Sequence, residues 1–223
     1  MCYNVKLKTH LKELQKIYGA DAEKALESLP EYENVSGFAH PKLPVITSED
    51  PEHIQLMEWG LVPNWVKNEK IAFEMQNATL NARSETLFEK PSFRSIIKKR
   101  CLILINGFYE WQQVAKQKVP YYIHLKSKDV FALAGLYDEW VNTNTGQIYK
   151  GFSIITVPAN PLMAVIHNAK KRMPLILPFE NVKGWVKPEI SESEIKSLLT
   201  QYPEDDMQAE AIKEKDNNLL LWE

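Results

Sequence analysis

The sequence predicts an α+β fold in which helical segments flank a long β-rich middle. Of its 223 residues, 44% are hydrophobic and 25% are charged, which is typical of a packed globular protein. Runs rich in Ile, Val, Phe and Tyr, bounded by Gly, Pro and Asn, follow one another between residues 101 and 157. Strands and helices do not alternate regularly, as they do in βαβ units. Because so long a β region must close or cover its edges, we predict one domain, residues 1–223, with a twisted, barrel-like, mainly antiparallel core and peripheral helices.

The predicted elements begin with a helix that has Thr9 as its N-cap, places Leu11, Leu14 and Ile17 on one face, and ends at Gly19. The remaining elements are, in chain order, a helix at 20–28, strands at 43–47 and 54–60, a helix at 80–99 broken at Pro91, strands at 101–107, 107–112, 121–126, 130–140 and 147–157, and helices near 160–166 and 191–200. The last two strands surround VNTNTG, which predicts a hairpin with a long loop.

The net charge of −2 conceals an uneven distribution. Residues 191–223 carry a balance of −6, which leaves residues 1–190 with +4. This excess permits an anionic partner for the main body. Charge alone does not require one, because mixed charges are also typical of a solvated surface.

Several function classes are disfavoured by composition. No apolar run approaches the roughly 20 residues of a membrane helix, and the N-terminus MCYNVKLKTH lacks the apolar region of a secretory signal. Cys2 and Cys101 cannot form a disulfide framework, so we predict a reducing, cytoplasmic location. Separately, we expect the protein to be a monomer. The five histidines and two cysteines show no metal-ligand spacing, so we predict neither a metal nor a cofactor.

Cys2 follows the initiator methionine, which methionine aminopeptidases remove when the second residue is small. The chain would then begin with a cysteine that carries a free α-amine of pKa about 7.7–8.0 and a thiol of pKa about 8.5. Such a 1,2-aminothiol condenses with an aldehyde to an imine, and the thiol then closes on the imine carbon to give a thiazolidine. No internal cysteine can do this. The alternative is that the second residue has no chemical role.

Two other residues are candidates for proton transfer. Glu110 lies in GFYEW between Tyr109 and Trp111, where burial would raise its pKa toward the range useful in acid/base catalysis. The alternative is a glutamate that faces water, which period-two alternation favours because Phe108 and Glu110 share one face. His167 follows a helical stretch in AVIHNAKKRMPLIL and is either an acid/base group or a hydrogen-bonded structural histidine.

Three motifs contain residues that suit an anionic strand. Asn81 and Arg83 in NARSET, taken alone, are typical of a helix cap and a surface charge. Lys171 and Arg172 belong to a basic trio that suits contact with an anion. Trp65 in WGLVPNW either packs in the core or forms an exposed wedge that stacks on bases.

These motifs occur in an order that resembles the SRAP family, the SOS-response-associated peptidases, also called abasic-site processing proteins. The resemblance extends from Cys2 to about residue 190 and rests on Met-Cys at the start followed by WGLVPNW, NARSET, KPSFR, RCLILINGFYEW, FALAGLYDEW, FSIITVPAN and IH…RMPLIL. The acidic segment 191–223 matches only loosely.

The resemblance implies a covalent reaction. Family members bind single-stranded DNA that contains an abasic site, whose open sugar is an aldehyde, and attach to it through the N-terminal cysteine. By this resemblance Cys2 is the nucleophile, and Asn81 positions the cysteine and the sugar. Glu110 transfers protons during ring opening and imine formation. His167 acts as acid/base in the same pocket, including in reversal of the link.

The resemblance also implies the DNA contacts. Arg83, Arg172 and Lys171 are expected to contact phosphates, and Trp65 is expected to be the stacking wedge.

Two departures from the family pattern affect these expectations. The family usually begins Cys-Gly-Arg, whereas this chain has Tyr3 and Asn4 after Cys2, so a DNA-contacting arginine is missing. The usual His-x-Arg spacing is stretched, because four residues separate His167 from Arg172.

Three function classes therefore remain open. The first is a DNA-repair enzyme that links itself to abasic sites through a thiazolidine. The second is a thiol autopeptidase that uses Cys2, and the third is a single-strand-binding module that forms no covalent bond. Only the first gives a denaturation-resistant adduct confined to abasic DNA.

Overall fold

The computed structural model describes residues 2–22 and 26–212. Met1, residues 23–25 of the predicted second helix and residues 213–223 of the acidic segment lie outside the described residues. The strands are β1 (Asn4–Leu7), β2 (Asp21–Ala22), β3 (Tyr32–Ser36), β4 (Lys42–Thr47), β5 (His53–Trp59), β6 (Asn81–Arg83), β7 (Arg100–Ile105), β8 (Gly107–Val114), β9 (Gln117–Leu125), β10 (Phe131–Val141), β11 (Ile148–Pro158), β12 (Arg172–Pro174), β13 (Ile176–Leu177) and β14 (Met207–Ala211).

A closed barrel forms the centre of the fold. The strands β11, β10, β7, β4 and β5 are hydrogen-bonded in that order, all antiparallel, and a parallel pairing of β5 with β11 closes the ring. Closure leaves these five strands without a free edge. Strand β6 pairs with β11 in parallel, which places Asn81 beside Ile154.

A second, fully antiparallel sheet packs on the barrel in the order β14-β9-β8-β1-β3. One hydrophobic core joins the two sheets, since it includes Val5 and Phe108 from the second sheet together with Ile103 and Leu133 from the barrel. The predicted α+β class with a barrel-like, mainly antiparallel core is confirmed. Strand β14 shows that part of the acidic segment belongs to the sheet.

The helices are short and are placed around these sheets. They are α1 (Leu11–Tyr18), α2 (Glu69–Ala78), α3 (Pro91–Arg94), α4 (Pro161–Ile166), α5 (Phe179–Trp185) and α6 (Glu192–Leu198). None of the helices in the described ranges is long and apolar enough to cross a membrane. The capping box of α6, in which the Ser191 hydroxyl accepts a hydrogen bond from the Glu194 amide, confirms the helix predicted near 191–200.

The predicted strands of the middle are confirmed, and so is the hairpin, in which β10 and β11 pair from Gly135 with Ile154 to Val141 with Ile148. The first helix is also confirmed, with His10 instead of Thr9 at its N-cap and Gly19 in the left-handed conformation at its C-terminal end. The Thr9 hydroxyl instead accepts a hydrogen bond from the Asn106 side-chain amide. Because this tertiary contact engages Thr9, the observed N-cap lies one residue after the predicted one.

Two helix predictions are wrong. At 20–28, Asp21 and Ala22 form a parallel strand beside β5. At 80–99, residues 81–83 form β6 because Ala82 is buried against β11. Pro91 begins the short helix α3 instead of breaking a longer one. In the first turn of a helix the N–H groups have no intrahelical acceptor, so the N–H that proline lacks is not missed there.

Arg100 fixes the end of α5 to the barrel. This arginine is fully buried, and its guanidinium donates hydrogen bonds to the carbonyl oxygens of Ile97, Trp185, Lys187 and Pro188. Burial lowers the pKa of Arg100. The side chain therefore satisfies carbonyl groups that would otherwise be buried without donors.

We expect Arg100→Met to lower the free energy of unfolding by about 3 kcal/mol, because it keeps the aliphatic stem and removes all four donated hydrogen bonds. Urea unfolding followed by circular dichroism measures this loss as a lower midpoint. Lys98→Met, at an exposed neighbouring position, is the matched control and should leave the midpoint in place. Equal midpoints for both variants would show that the buried guanidinium contributes little.

Candidate active site

Cys2 lies two residues before the start of β1 and is completely buried. Strand β1 runs antiparallel to β8, with Asn4 opposite Tyr109, so the cysteine lies alongside the part of β8 that carries Glu110. The Cys2 Sγ is 4.0 Å from the Asn4 carbonyl oxygen. Burial, together with the Glu110 carboxylate, raises the pKa of the Cys2 thiol, so the sulfur is held as a neutral thiol.

Asn81 is joined to the cysteine by a direct hydrogen bond. Its Nδ2 donates to the Cys2 carbonyl oxygen over 2.8 Å. The pairing of β6 with β11 fixes the Asn81 backbone, and this hydrogen bond therefore ties the cysteine to the barrel. The Asn81 Oδ1 is buried and has no hydrogen-bond partner among the described residues, which leaves an acceptor beside the cysteine.

Glu110 and His167 meet between β8 and the C-terminal end of α4. The His167 Nδ1 is 3.6 Å from the Glu110 Oε1, and both side chains are almost fully buried. Helix α4 is attached to β8 by hydrogen bonds from Gln112 Nε2 to the Val165 carbonyl oxygen and between Gln113 and Asn168. The water-facing alternative for Glu110 is wrong, because α4 covers the face that it shares with Phe108.

The residues between His167 and Arg172 form a turn. The amide of Lys171 donates to the His167 carbonyl oxygen over 2.7 Å, and Lys171 has a positive φ of 49°. The turn brings the Arg172 carbonyl oxygen to 2.8 Å from His167 Nδ1. Because a carbonyl only accepts, Nδ1 carries the proton and the neutral ring has its lone pair on Nε2. The turn formed by the longer spacing between His167 and Arg172 therefore determines which ring nitrogen of His167 carries the proton.

Glu110 and His167 have complementary protonation states. Burial raises the pKa of the Glu110 carboxyl to about 7, so a substantial fraction carries its proton at neutral pH. Burial lowers the pKa of His167 to about 4, and the ring is neutral at the same pH. The pair therefore holds a proton donor and a proton acceptor in one buried position next to Cys2.

Two of the predicted DNA contacts lie on the surface near this pocket. Arg83 ends β6 and is exposed, two residues beyond Asn81 and on the same face of that strand. Burial raises the pKa of the Tyr3 phenol, and the positive charge of the nearby Arg83 guanidinium partly offsets this increase. Lys171 is exposed on the turn after His167. Both cations are available to an anionic ligand.

Arg172 has internal partners instead. It is 8% exposed. Its Nη1 pairs with the Glu85 carboxylate, and its Nη2 donates to the Thr156 carbonyl oxygen at 2.6 Å. These contacts hold the segment whose carbonyl binds His167. A phosphate contact by Arg172 stays a prediction.

Trp65 is 49% exposed, whereas Trp59 of the same motif is fully buried and donates from Nε1 to the Leu80 carbonyl oxygen. The loop is held on both sides of Trp65. Its residue Asn64 donates a backbone hydrogen bond to Asp138, and the Val66 carbonyl oxygen accepts one from Trp140 Nε1. WGLVPNW therefore contains one core tryptophan and one exposed tryptophan on a fixed loop.

Sequence reasoning missed the residues that support this site. Glu85 and Thr156 hold Arg172, and Asp138 and Trp140 hold the Trp65 loop. Asp138 in FALAGLYDEW could have been identified from the sequence as a supporting residue, because a carboxylate inside an apolar strand needs a partner. Lys99 supplies that partner, with its Nζ 3.0 Å from Asp138 Oδ1.

Within residues 2–22 and 26–212, no group of three or more His, Cys, Asp or Glu side chains is arranged to hold a metal ion. The pocket around Cys2 brings together a thiol, a carboxyl, an imidazole and a carboxamide. These groups are chemically able to give and take protons beside the cysteine.

The chain belongs to the SRAP family, described as SOS response associated peptidase, which matches residues 1–219. It is 44% identical over 170 residues to the abasic site processing protein YoqW of Bacillus subtilis, a match that covers 75% of this chain and 72% of that protein. The abasic site processing protein HMCES of Xenopus tropicalis is 37% identical over 150 residues, which cover 58% of this chain and 44% of that protein.

A solved structure from Bacteroides thetaiotaomicron is similar over almost the whole chain, with a TM-score of 0.90 and 38% identity, covering 96% of this chain and 93% of that one. A second, from Bordetella bronchiseptica, has a TM-score of 0.81 at 24% identity, covers 95% and 100% of the two chains, and supports the fold alone. The family match extends beyond residue 190, where the motif resemblance ended.

Proposed function

We propose that this protein binds single-stranded DNA at abasic sites and links itself to them through Cys2. The convergence of the buried Cys2 with the Glu110–His167 pair carries the proposal. The names of the relatives YoqW and HMCES, both abasic site processing proteins, support a role in DNA damage for this chain. The reaction requires that Met1 be removed, so that the Cys2 nitrogen becomes an amine.

The proposed reaction joins an aldehyde to an aminothiol with loss of one water. The sugar ring first opens to expose the C1 aldehyde. The Cys2 amine adds to C1, and the resulting carbinolamine loses water to form an imine. The Cys2 sulfur then adds to the same carbon while the thiol proton passes to the nitrogen. One C–N bond and one C–S bond form, the aldehyde C=O bond breaks, and the thiazolidine nitrogen keeps one hydrogen.

The geometry favours this route over thiol peptidase chemistry. A cysteine peptidase depends on a thiolate, which a nearby imidazolium stabilises by lowering the thiol pKa. Here burial and Glu110 raise the pKa of Cys2, and burial keeps His167 neutral. Ring closure on an imine needs no separate thiolate, because the thiol proton is transferred to nitrogen as the sulfur adds.

The side chains divide the proton transfers between them. Glu110, with its pKa of about 7, donates a proton to the sugar ring oxygen as the ring opens. The Asn81 amide holds the Cys2 carbonyl and offers Oδ1 as an acceptor to the new amine. His167 accepts a proton at Nε2 from the water that adds to the imine when the link reverses.

The DNA strand is bound by charge and stacking in this proposal. Arg83 and Lys171 are exposed and would neutralise phosphates beside the pocket. Trp65 presents its indole from a fixed loop and would stack on a base. Arg172 would act mainly through its hold on the His167 segment.

A denaturing gel tests the proposal with three single-stranded oligonucleotides of equal sequence that contain an abasic site, an intact nucleotide or a tetrahydrofuran analogue that has no aldehyde. We expect a denaturation-resistant adduct with the abasic strand alone. A shifted band with the intact or tetrahydrofuran strand, or no band with the abasic strand, would contradict the covalent mechanism. Non-covalent binding of all three without an adduct would favour the single-strand-binding module.

We expect His167→Ala to lengthen the lifetime of the adduct by about tenfold or more, because removing an acid/base group slows the step it serves. Water addition to the imine is on the path of release, whereas formation depends on ring opening and on addition of the amine, which His167 does not serve in this proposal. Adduct formed on a labelled strand is chased with excess unlabelled abasic DNA. Release at the native rate would show that His167 is structural.

A further inference from the structure

Two aromatic rings form a surface beside the nucleophile that the proposed reaction does not use. Phe38 is 55% exposed, which is unusual for a phenylalanine, and its ring centroid is 5.1 Å from that of Tyr3 with 35° between the ring planes. Tyr3 directly follows Cys2 in the chain. Burial and the Glu110 carboxylate raise the pKa of the Tyr3 phenol, so the ring pair also lies close to the Glu110 side chain.

The backbone under Phe38 is held rigidly. The Gly37 amide donates to the Tyr3 carbonyl oxygen over 2.7 Å, and the Phe38 amide donates to the Ser36 hydroxyl. Gly37 lies against the Trp59 ring, where an added Cβ would come within 3.0 Å of the indole carbons, so only glycine fits comfortably. An exposed ring on a fixed backbone loses little conformational freedom when a ligand stacks on it.

The surroundings of the ring pair suit a nucleotide strand. The positive charge of Arg83 counteracts the rise in the pKa of the Tyr3 phenol, so this exposed guanidinium lies close to the aromatic surface. Bases stack on aromatic side chains regardless of their sequence, and a nearby cation binds the adjoining phosphate.

We propose that Tyr3 and Phe38 form a platform on which the nucleobase adjacent to the abasic site stacks. The inference rests on the proposed function and adds a subsite to it. An abasic nucleotide has no base of its own to stack, so its neighbour is the nearest group that can fix the sugar over Cys2. The platform would orient the strand and would take no part in bond making.

The test uses a single strand with a tetrahydrofuran site, which cannot react, and 2-aminopurine placed in turn on its 5′ and 3′ sides. The fluorescence of 2-aminopurine falls when the base stacks. With the native protein we expect quenching at one of the two positions. Phe38→Ala should abolish the quenching at that position and weaken binding about tenfold, the effect of losing one stacked base.

Three variants make the outcome specific. Phe38→Leu keeps apolar bulk without a ring and should behave like Phe38→Ala. Phe179→Ala removes another exposed phenylalanine, on α5, and should leave quenching and affinity unchanged. Trp65→Ala should weaken binding while keeping the quenching at the platform position. Unchanged quenching and affinity in Phe38→Ala would overturn the platform.

The two proposals fail differently. If natural abasic DNA gives no adduct with the native protein, the covalent function fails, and the quenching at the tetrahydrofuran site still decides the platform. If the adduct forms and Phe38→Ala leaves stacking intact, the covalent function stands and the platform is refuted.

Discussion

Cys2→Ala is expected to abolish the covalent adduct completely while leaving the affinity for abasic single strands within about a factor of two. The alanine removes the only sulfur that can close the ring at C1. In the proposed function, binding depends on phosphate contacts and stacking, which the buried thiol does not supply. The adduct is measured on a denaturing gel, and affinity is measured by fluorescence anisotropy with the tetrahydrofuran strand.

Two controls refine this result. Cys2→Ser should also fail to give a stable adduct, because the oxygen analogue closes a much less stable ring. A chain whose Cys2 nitrogen is kept in an amide by an uncleaved N-terminal tag should behave like Cys2→Ala. Adduct at the native yield from Cys2→Ala would exclude Cys2 as the nucleophile, and adduct from the tagged chain would exclude the imine.

Glu110→Gln should slow adduct formation by about 10²-fold or more at pH 7 and leave binding unchanged. Glutamine keeps the size of the side chain and cannot donate the carboxyl proton that ring opening needs, and a positioned acid typically contributes about 10²–10⁴-fold. Single-turnover rates at saturating abasic DNA measure the effect. Glu13→Gln, at an exposed position on α1, is the matched control and should react at the native rate.

The pH profile of that rate separates a proton donor from a structural residue. In the native protein the protonated fraction of Glu110 falls as pH rises through its pKa of about 7. The free-amine fraction of Cys2 falls as pH drops below about 7.7–8.0. Their product gives a bell with its maximum near pH 7.5. Glu110→Gln should lose the alkaline limb and keep the acidic one; a bell that is merely lowered would show that another group is the acid.

The motifs were sufficient to predict four side chains that the structure places in the candidate site; their roles stay a prediction. Cys2, Asn81, Glu110 and His167 come from four separate segments, and the structure joins Asn81 to Cys2 and Glu110 to His167. The burial of Glu110 could not be derived from alternation, because both faces of β8 are covered and α4 lies on the face that alternation assigned to water.

Contacts that depend on tertiary packing were not predictable. Phe38 lies in a short run without periodicity, and only the contacts of Gly37 with Tyr3 and Trp59 reveal its fixed position. Residues 81–83 are compatible with a helix until β11 offers a strand to pair with. Helix α2 was missed although Asn68, which caps it by accepting from the Ile71 amide, precedes a run of good helix formers.

The intact mass of the conjugate tests the central claim most directly. Native protein is incubated with an abasic oligonucleotide, and the product is analysed by mass spectrometry under denaturing conditions and then after digestion. The thiazolidine mechanism predicts the mass of the chain without Met1 plus that of the oligonucleotide less one water, with the added mass on the N-terminal peptide that begins at Cys2. A conjugate that retains Met1, or whose added mass lies on a peptide without Cys2, would contradict it.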